Sequence, residues 1–442
     1  MDDNYHKKYI KYRTKYIQLK KYLQDGGMDG DENMLPKLKS LSLAQKSSER
    51  TILQPLTTNF KPATPPIEEL KPAAAASEMK QIRFINEGTY GCVYSTPFNC
   101  TIPCEEERCK SGIAKLMFPP SAKKEVDTYR TLDLESIDPE GRFYIKIPHS
   151  CEPILPEVLP ISSIGNRKCS KTKEFAELKP RMLIFDHGGM DLYDFLKVPA
   201  TNFEGTGMPY KQHILYILEK LQNIFMGVFE LNSRGIFHCD IKLENIVSGI
   251  KSINFRHHLG DGNRFKLIDF GLAEKYGHTL NPVNKFKNTY HIWPIDIIYL
   301  SDINYENKPD ASMLIESRLG DMNFRNVYLF YQNYIFKTKV TETMKEKEKF
   351  QIIYDLINER YKKHYDEETE DFRFRYKILN TVDMFGLGVV LLNIANKIPF
   401  IHDEIIEFIL SSKLLHPDPY RRPVAEEALD LYKEFVGKIL RM

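Results

Sequence analysis

The period of apolar positions changes along this chain. Residues 4–23 read NYHKKYIKYRTKYIQLKKYL, in which Tyr5, Tyr9, Tyr12, Tyr16, Leu19 and Leu23 recur at spacings of 4, 3, 4, 3 and 4. That is a heptad-type helical stripe with basic residues on the remaining faces, and Gly26-Gly27 ends it, which predicts a basic amphipathic helix over 1–27. So short a stripe is marginal as an independent coiled coil. The helix either packs on its own domain or stays solvated, or it docks on a partner or an anionic lipid surface. Residues 28–78 hold Pro36, Pro55, Pro62, Pro65, Pro66 and Pro72 with an AAAA run and no apolar period, and read as a disordered linker.

From residue 79 the pattern changes again. QIRFIN, CVYSTPF and GIAKLMF are short β-rich runs, whereas HILYILEKLQNIFMGVFELNSRG at 213–235 has helical spacing. A β-rich stretch followed by a helix-rich one predicts an α+β protein in two lobes. The small β-rich lobe is expected over 79–188 and the larger helical lobe over 189–442, with an insertion at about 300–380.

Composition narrows this little. Hydrophobic content of 42% and charged content of 28% over 442 residues suit a soluble globular chain, and a net charge of +2 gives no global pull toward nucleic acid. The longest apolar segment, MFGLGVVLLNIA at 384–395, is too short to span a bilayer and reads as a buried helix. No secretory h-region is seen at the N-terminus. Seven cysteines is an odd count for a disulfide framework, so a reducing, intracellular compartment is expected.

Candidate chemistry lies at four places. In INEGTYGCVY, 85–94, two glycines bracket Thr-Tyr between strand-like flanks, and glycine lets backbone N–H groups approach phosphate oxygens. A glycine-containing hairpin explains that stretch equally well. Lys115 sits inside the apolar run IAKLMF, where an ammonium is costly unless paired; a phosphate plus Glu125 or Glu135 would pair it. GIFHCDIKLENIV, 235–247, places Asp240, Lys242 and Asn245 between apolar anchors. A carboxylate there can take or orient a hydroxyl proton, a lysine can neutralise a phosphoryl group, and the Asn carbonyl oxygen can bind a hard cation. In KLIDFGLA, 266–273, Asp269 follows an apolar strand and offers a second carboxylate to the same cation.

The ordered set INEGTYGCV, Lys115, HCDIKLEN, DFG, DMFGLG and DPYRRP resembles the eukaryotic-type serine/threonine protein kinase domain over about residues 82–432. The resemblance implies a bilobal kinase fold and a transferase that uses ATP and Mg²⁺. Ile85, Asn86, Glu87, Gly88, Thr89, Tyr90, Gly91, Cys92 and Val93 would cover the phosphates, and Lys115, paired with Glu125, would hold them. Asp240 would be the catalytic base, Lys242 would steady the γ-phosphate, and Asn245 and Asp269 would bind Mg²⁺. Asp383 would brace the catalytic loop and Arg422 the end of the activation segment. Lys242, two residues after Asp240, favours Ser/Thr acceptors on a protein substrate over tyrosine. A kinase-fold scaffold without transfer is the alternative, and a small-molecule kinase a third. No nucleic-acid partner is expected. HKKYIKYRTKYIQLKKYLQDGG is also similar to leaders on proteins of giant, mimivirus-like nucleocytoplasmic DNA viruses, which implies host cytoplasm or packaging in the virion.

The departures from the family pattern matter. Cys239 stands where most members carry an Arg that pairs with activation-segment phosphate, so dependence on that phosphate is not expected. The A-P-E motif is absent; HIWPID, 291–296, takes its place, and Asp296 is the substitute partner for Arg422. Asn86 replaces the first loop glycine, and Ile113 replaces a small residue two before Lys115. Residues 95–111 carry Cys100, Cys104 and Cys109, read as free thiols because a zinc site would need a fourth ligand such as Cys92, Cys151 or Cys169. Residues 248–264, with His257 and His258, read as a loop, and the charged run within 300–380 as a solvated helix.

Overall fold

The computed structural model describes residues 82–88, 90–154, 169–197, 210–249, 264–276, 293–294, 296–297, 322–337, short pieces between 343 and 359, and 371–441. The expected N-terminal helix, the linker, Thr89, His257 and His258 lie outside the described residues, as does most of the charged run.

Five strands make one antiparallel sheet: β1 (Phe84–Gly88), β2 (Gly91–Tyr94), β3 (Ile113–Met117), β4 (His149–Cys151) and β5 (Arg181–Phe185), in the order β1-β2-β3-β5-β4. A short helix, α1 (Glu107–Ser111), precedes β3, and α2 (Pro119–Leu132) follows it. Side chains alternate across a strand. Ala114 and Leu116 therefore bury on one face with Phe84, Cys92, Tyr94, Met182 and Ile184. Met117 buries on the other with Leu183 and with Ala122 and Val126 of α2. Lys115 shares that second face by the same alternation, which turns it toward α2.

Pro119-Pro120 open α2, where a missing N–H is harmless, and Asp133 ends it at φ 53°. Ala122, Val126, Tyr129 and Leu132 form its buried stripe. A seven-residue helix, α3 (Thr172–Leu178), leads into β5.

The helical part is built on α4 (Tyr210–Asn232), α5 (Met322–Phe330), α6 (Asp371–Lys397), α7 (His402–Ser412) and α8 (Ala425–Ile439). The buried stripe of α4 includes Leu218, Leu221, Phe225 and Val228. It packs on α8, where the Phe225 and Tyr432 rings stack at 4.0 Å and Tyr432 Oη donates to Leu218 O at 2.7 Å. From Ile378 onward α6 is apolar on nearly all sides, as befits a helix enclosed by others. Its Tyr376–Lys397 stretch is long and apolar enough to cross a membrane, but its most apolar 18-residue window is 94% buried in the core of this domain.

Short ribbons sit beside this core: β6 (Ile236–Phe237) pairs with β9 (Glu274–Lys275), and β7 (Ile246–Val247) pairs with β8 (Lys266–Leu267). The alternating look of residues 235–247 thus resolves into two dipeptide strands separated by a loop and a single turn of 3₁₀ helix at Leu243–Asn245.

One expectation is overturned. Cys100, Cys104 and Cys109 are not thiols: Cys100 bonds Cys151, Cys104 bonds Cys109, and Cys92 bonds Cys169. The Cα pairs lie 5.9, 5.9 and 6.0 Å apart, in the range a disulfide requires. The odd total concealed six paired cysteines and the buried, unbridged Cys239. Partners separated by 77 and 51 positions meet only through the sheet, so linear spacing hid them. Cysteine usage therefore gives no argument for a reducing compartment.

Candidate active site

The loop after β6 is fixed from beneath by α6. Asp383, 1% exposed, accepts the backbone N–H of His238 and of Cys239, each at 2.8 Å, and the Asn232 amide at 3.1 Å. Burial pushes the Asp383 carboxyl up, while His238 and these donors pull it back. Cys239 is thereby held at φ 58°, a left-handed conformation that a non-glycine residue adopts only under constraint. Close approach of α6 depends on Gly386, where an added Cβ would stand 2.9 Å from both Cβ and O of Ile241.

On this support the three polar groups of the loop meet. Asn245 donates its amide to Asp240 Oδ2 at 2.8 Å and to Asp240 O at 2.9 Å. Lys242 Nζ lies 3.2 Å from Asp240 Oδ2. Asp240 is only 4% exposed, so the carboxylate is oriented and nearly enclosed.

The segment carrying Asp269 is strapped to that loop. Ile268 N donates to Asn245 O at 3.0 Å, and the His238 ring bonds Ile268 O at 3.1 Å. Asp269 is exposed at φ 62°, and Gly271 N approaches its Oδ1 at 3.3 Å. The next residue, Phe270, is fully buried against His238, Tyr129 and Tyr144, with ring centroids at 4.7, 5.4 and 5.6 Å. Tyr129 belongs to α2, so this aromatic cluster fixes the distance between α2 and the Asp269 turn.

Lys115 and Glu125 meet directly, with Nζ 2.9 and 2.7 Å from the two carboxylate oxygens. Glu135 is exposed on the turn beyond α2, which decides between the two candidate partners. Burial opposes the charge on Lys115, but Glu125 and Asp269 outweigh it and raise its pKa. Burial also pushes Glu125 up, with Lys115 pulling it back. Asp269 acts on both members of the pair, which ties the sheet to the catalytic loop electrostatically.

The hairpin of β1 and β2 continues the sheet beside β3, with Val93 opposite Lys115. Gly91 is required there, since a Cβ would stand 2.2 Å from Leu116 O. Not every residue of this stretch offers its side chain. Cys92 is wholly buried and bonded to Cys169, and Asn86 Oδ1 accepts Glu87 N at 2.8 Å. Glu87 is held by Lys171 Nζ and by Ser170 N at 2.7 Å, and these partners lower its pKa to about 2. Among the described residues of the hairpin, backbone groups, exposed Ile85 and Tyr90 and half-buried Val93 are left to meet a ligand.

Arg422 and Asp296 form a buried ion pair at 2.5 Å. Arg422 Nε also donates to His416 O at 2.9 Å, and the guanidinium lies 5.5 Å from the Phe385 ring centroid. Trp293, the lone tryptophan, donates its indole N–H to Cys239 O. Two supports went unnoticed in the sequence: Trp293, and Asn232 at the foot of α4. An amide at the inner end of an apolar helix was the available signal for the second.

Comparison with known families agrees with this geometry. The protein kinase domain model matches residues 207–432, from just before α4 into α8. No curated protein matches the chain. The match takes in Asp240, Lys242, Asn245, Asp269, Asp383 and Arg422, and stops short of the sheet that carries Lys115. Spanning more than half of the chain and every element that frames the catalytic loop, it establishes that this protein belongs to the protein kinase domain family.

Proposed function

We propose that the protein is an active, bilobal serine/threonine protein kinase that transfers the γ-phosphoryl group of ATP to a hydroxyl of a protein substrate. One observation carries this reading: the Lys115–Glu125 pair and the Asp240–Lys242–Asn245 cluster are both intact, with Asp269 acting on the first pair and its neighbour Ile268 bonded to Asn245 of the second. A scaffold that had abandoned transfer would have no need to keep four ionisable groups and an amide so arranged.

The residues fit the family's Mg²⁺–nucleotide. Asn245 commits its amide N–H groups to Asp240, so its remaining donor atom is an oxygen, and exposed Asp269 supplies carboxylate oxygens. Oxygen ligands suit a hard cation. Bound there, the ion would offset phosphate charge during transfer. Lys115 would hold the phosphates, with Glu125 fixing its ammonium. Asp240 would orient the acceptor hydroxyl and take its proton. Lys242, now beside Asp240, would turn to the transferred group. Phosphoryl transfer is mostly positioning and electrostatics, so preorganised groups of this kind supply most of what it needs.

The test is incorporation of label from γ-labelled ATP with Mg²⁺ into a protein mixture, beside Asp240→Asn. Label on Ser and Thr from the parent protein alone supports the reading. Equal labelling by both proteins leaves only the scaffold.

A further inference from the structure

Four of the six bridged cysteines are gathered around one imidazole. Cys100 enters through a bridge to Pro153, with Thr101 N donating to Glu152 O at 2.8 Å. Cys104 precedes α1 and Cys109 lies within it, while His149 and Cys151 occupy the edge strand β4. A ring nitrogen of His149 lies within 4.8 Å of the sulfurs of Cys100 and Cys151, and one lies within 4.8 Å of those of Cys104 and Cys109. His149 Nδ1 is bonded to Glu106 Oε1 at 2.8 Å. A carboxylate on Nδ1 leaves Nε2 as the lone-pair side, the outer contact that metal-bound histidines characteristically make.

We propose that Cys100, Cys104, Cys109 and Cys151, together with His149, are a zinc site, and that the two disulfides are its oxidised, metal-free form. In reduction each disulfide takes two electrons and two protons from a dithiol, giving two thiols and leaving the dithiol as a disulfide. Zn²⁺ then displaces the protons of the thiols that bind it, because the thiolate is the ligand. Thiolate and imidazole donors select zinc over magnesium, and a tetrahedral ion with bonds of about 2.0–2.3 Å draws three or four sulfurs inward. The third disulfide does not qualify. Among the described residues, Glu87 is the one further ligand group beside Cys92 and Cys169, and that carboxylate is committed to Lys171 and Ser170.

The arrangement explains why the 95–111 insertion holds so many cysteines. Few hydrophobic side chains anchor it, and α1 buries none of its residues. A metal would fasten it to β4 beyond the hold that Phe98, buried in the sheet core, already gives. The same contacts reach the end of β5: Arg108 bonds Ile147 O at 2.6 Å and Glu106 at 2.8 Å, and lies 3.7 Å from Asp186.

The experiment uses the full chain, reduced anaerobically with a phosphine, loaded with Zn²⁺ and dialysed against metal-free buffer. About one zinc per chain should be retained, and a thiol oxidant should release it while mass spectrometry shows the Cys100–Cys151 and Cys104–Cys109 bonds re-formed. Co²⁺ in place of zinc should give the absorption of three or four cobalt–thiolate bonds. The Cys104→Ser/Cys109→Ser variant should lose the metal. The proposal is overturned if the reduced parent protein retains no zinc, if cobalt shows two thiolates or fewer, if that variant binds as much metal as the parent, or if the two disulfides survive the phosphine.

Discussion

Asp383 Oδ1 accepts the N–H of Cys239 at 2.8 Å, and Cys239 is held at φ 58°. A non-glycine residue in that region costs on the order of 1–3 kcal/mol, so the hydrogen bonds from α6 keep the loop in a shape it would otherwise leave. Replacing Asp383 with Ala strands two buried backbone N–H groups, at roughly 1–3 kcal/mol each, and takes one of the two acceptors from the Asn232 amide, which keeps Ile236 O. Thermal denaturation should show a clear loss of Tm. The kcat should fall by about tenfold or more, with a smaller change in KM for ATP, because Lys115 and the hairpin are untouched. An unchanged kcat in the folded variant would refute the bracing role.

Gly386 and Gly388 separate packing from catalysis. A Cβ at 386 meets Ile241 of the catalytic loop at 2.9 Å, whereas a Cβ at 388 meets the Leu415 side chain at 2.8 Å. Both Gly→Ala variants should lose stability, by about 1–3 kcal/mol from overpacking. Only Gly386→Ala should also lower kcat, because only it pushes on the backbone that carries Asp240. Denaturant melts and turnover on the two variants check this; equal turnover would refute it.

Arg422 and Asp296 are both buried, so breaking the pair from one side is costly. Arg422→Met takes the guanidinium away from a buried carboxylate and should destabilise by about 3–5 kcal/mol. Combining it with Asp296→Leu should recover much of that loss, since two apolar groups replace two charges. A double-mutant cycle by chemical denaturation measures the coupling. Equal, additive losses would show that the two residues act separately.

Glu87 predicts an acid dependence. Its pKa is lowered from 4.5 to about 2, first by the hydrogen bond from Lys171 and then by those from Ser170. A carboxyl with a depressed folded-state pKa contributes stability that is present above pH 4.5 and is lost as the pH falls toward 2. Glu87 is partly exposed, so screening by solvent keeps the effect modest. The difference in stability between the parent and Glu87→Gln should therefore shrink between about pH 5 and pH 2. A constant difference across that window would refute the assignment.

The catalytic loop was legible because its chemistry is local: Asp240, Lys242 and Asn245 lie within six residues, and apolar anchors mark where the loop is tied. Lys115 was legible as an ion stranded in an apolar strand. Its partner needed the family pattern as well, since helical spacing alone admitted both Glu125 and Glu135. Asp296 as the substitute for the usual acidic partner of Arg422 could be argued from the gap in the motif. The two long-range disulfides were not legible, because Cys92 and Cys100 meet partners 77 and 51 positions away that only the folded chain brings alongside. The ties from Glu87 to Lys171 and from Trp293 to Cys239 escaped for the same reason: each joins segments far apart in the chain.

The position of Cys239 leads to the last prediction. An arginine at this point of the loop would offer a guanidinium to activation-segment phosphate; here a thiol side chain is 2% exposed, and the backbone carbonyl accepts Trp293. A phosphate of about −1.5 to −2 charges near this loop would find no cation at position 239 to order it. Phosphorylation of Thr279, Thr289 or Tyr290 should thus be unnecessary for turnover. The triple variant Thr279→Ala/Thr289→Ala/Tyr290→Phe should keep kcat within about threefold of the parent, a change below 1 kcal/mol in the barrier. The parent treated with a phosphatase should behave likewise. If the triple variant folds with the parent's Tm but loses turnover, and phosphatase treatment abolishes activity in the parent, the loop takes its order from phosphate after all, and another cation must supply what Cys239 lacks.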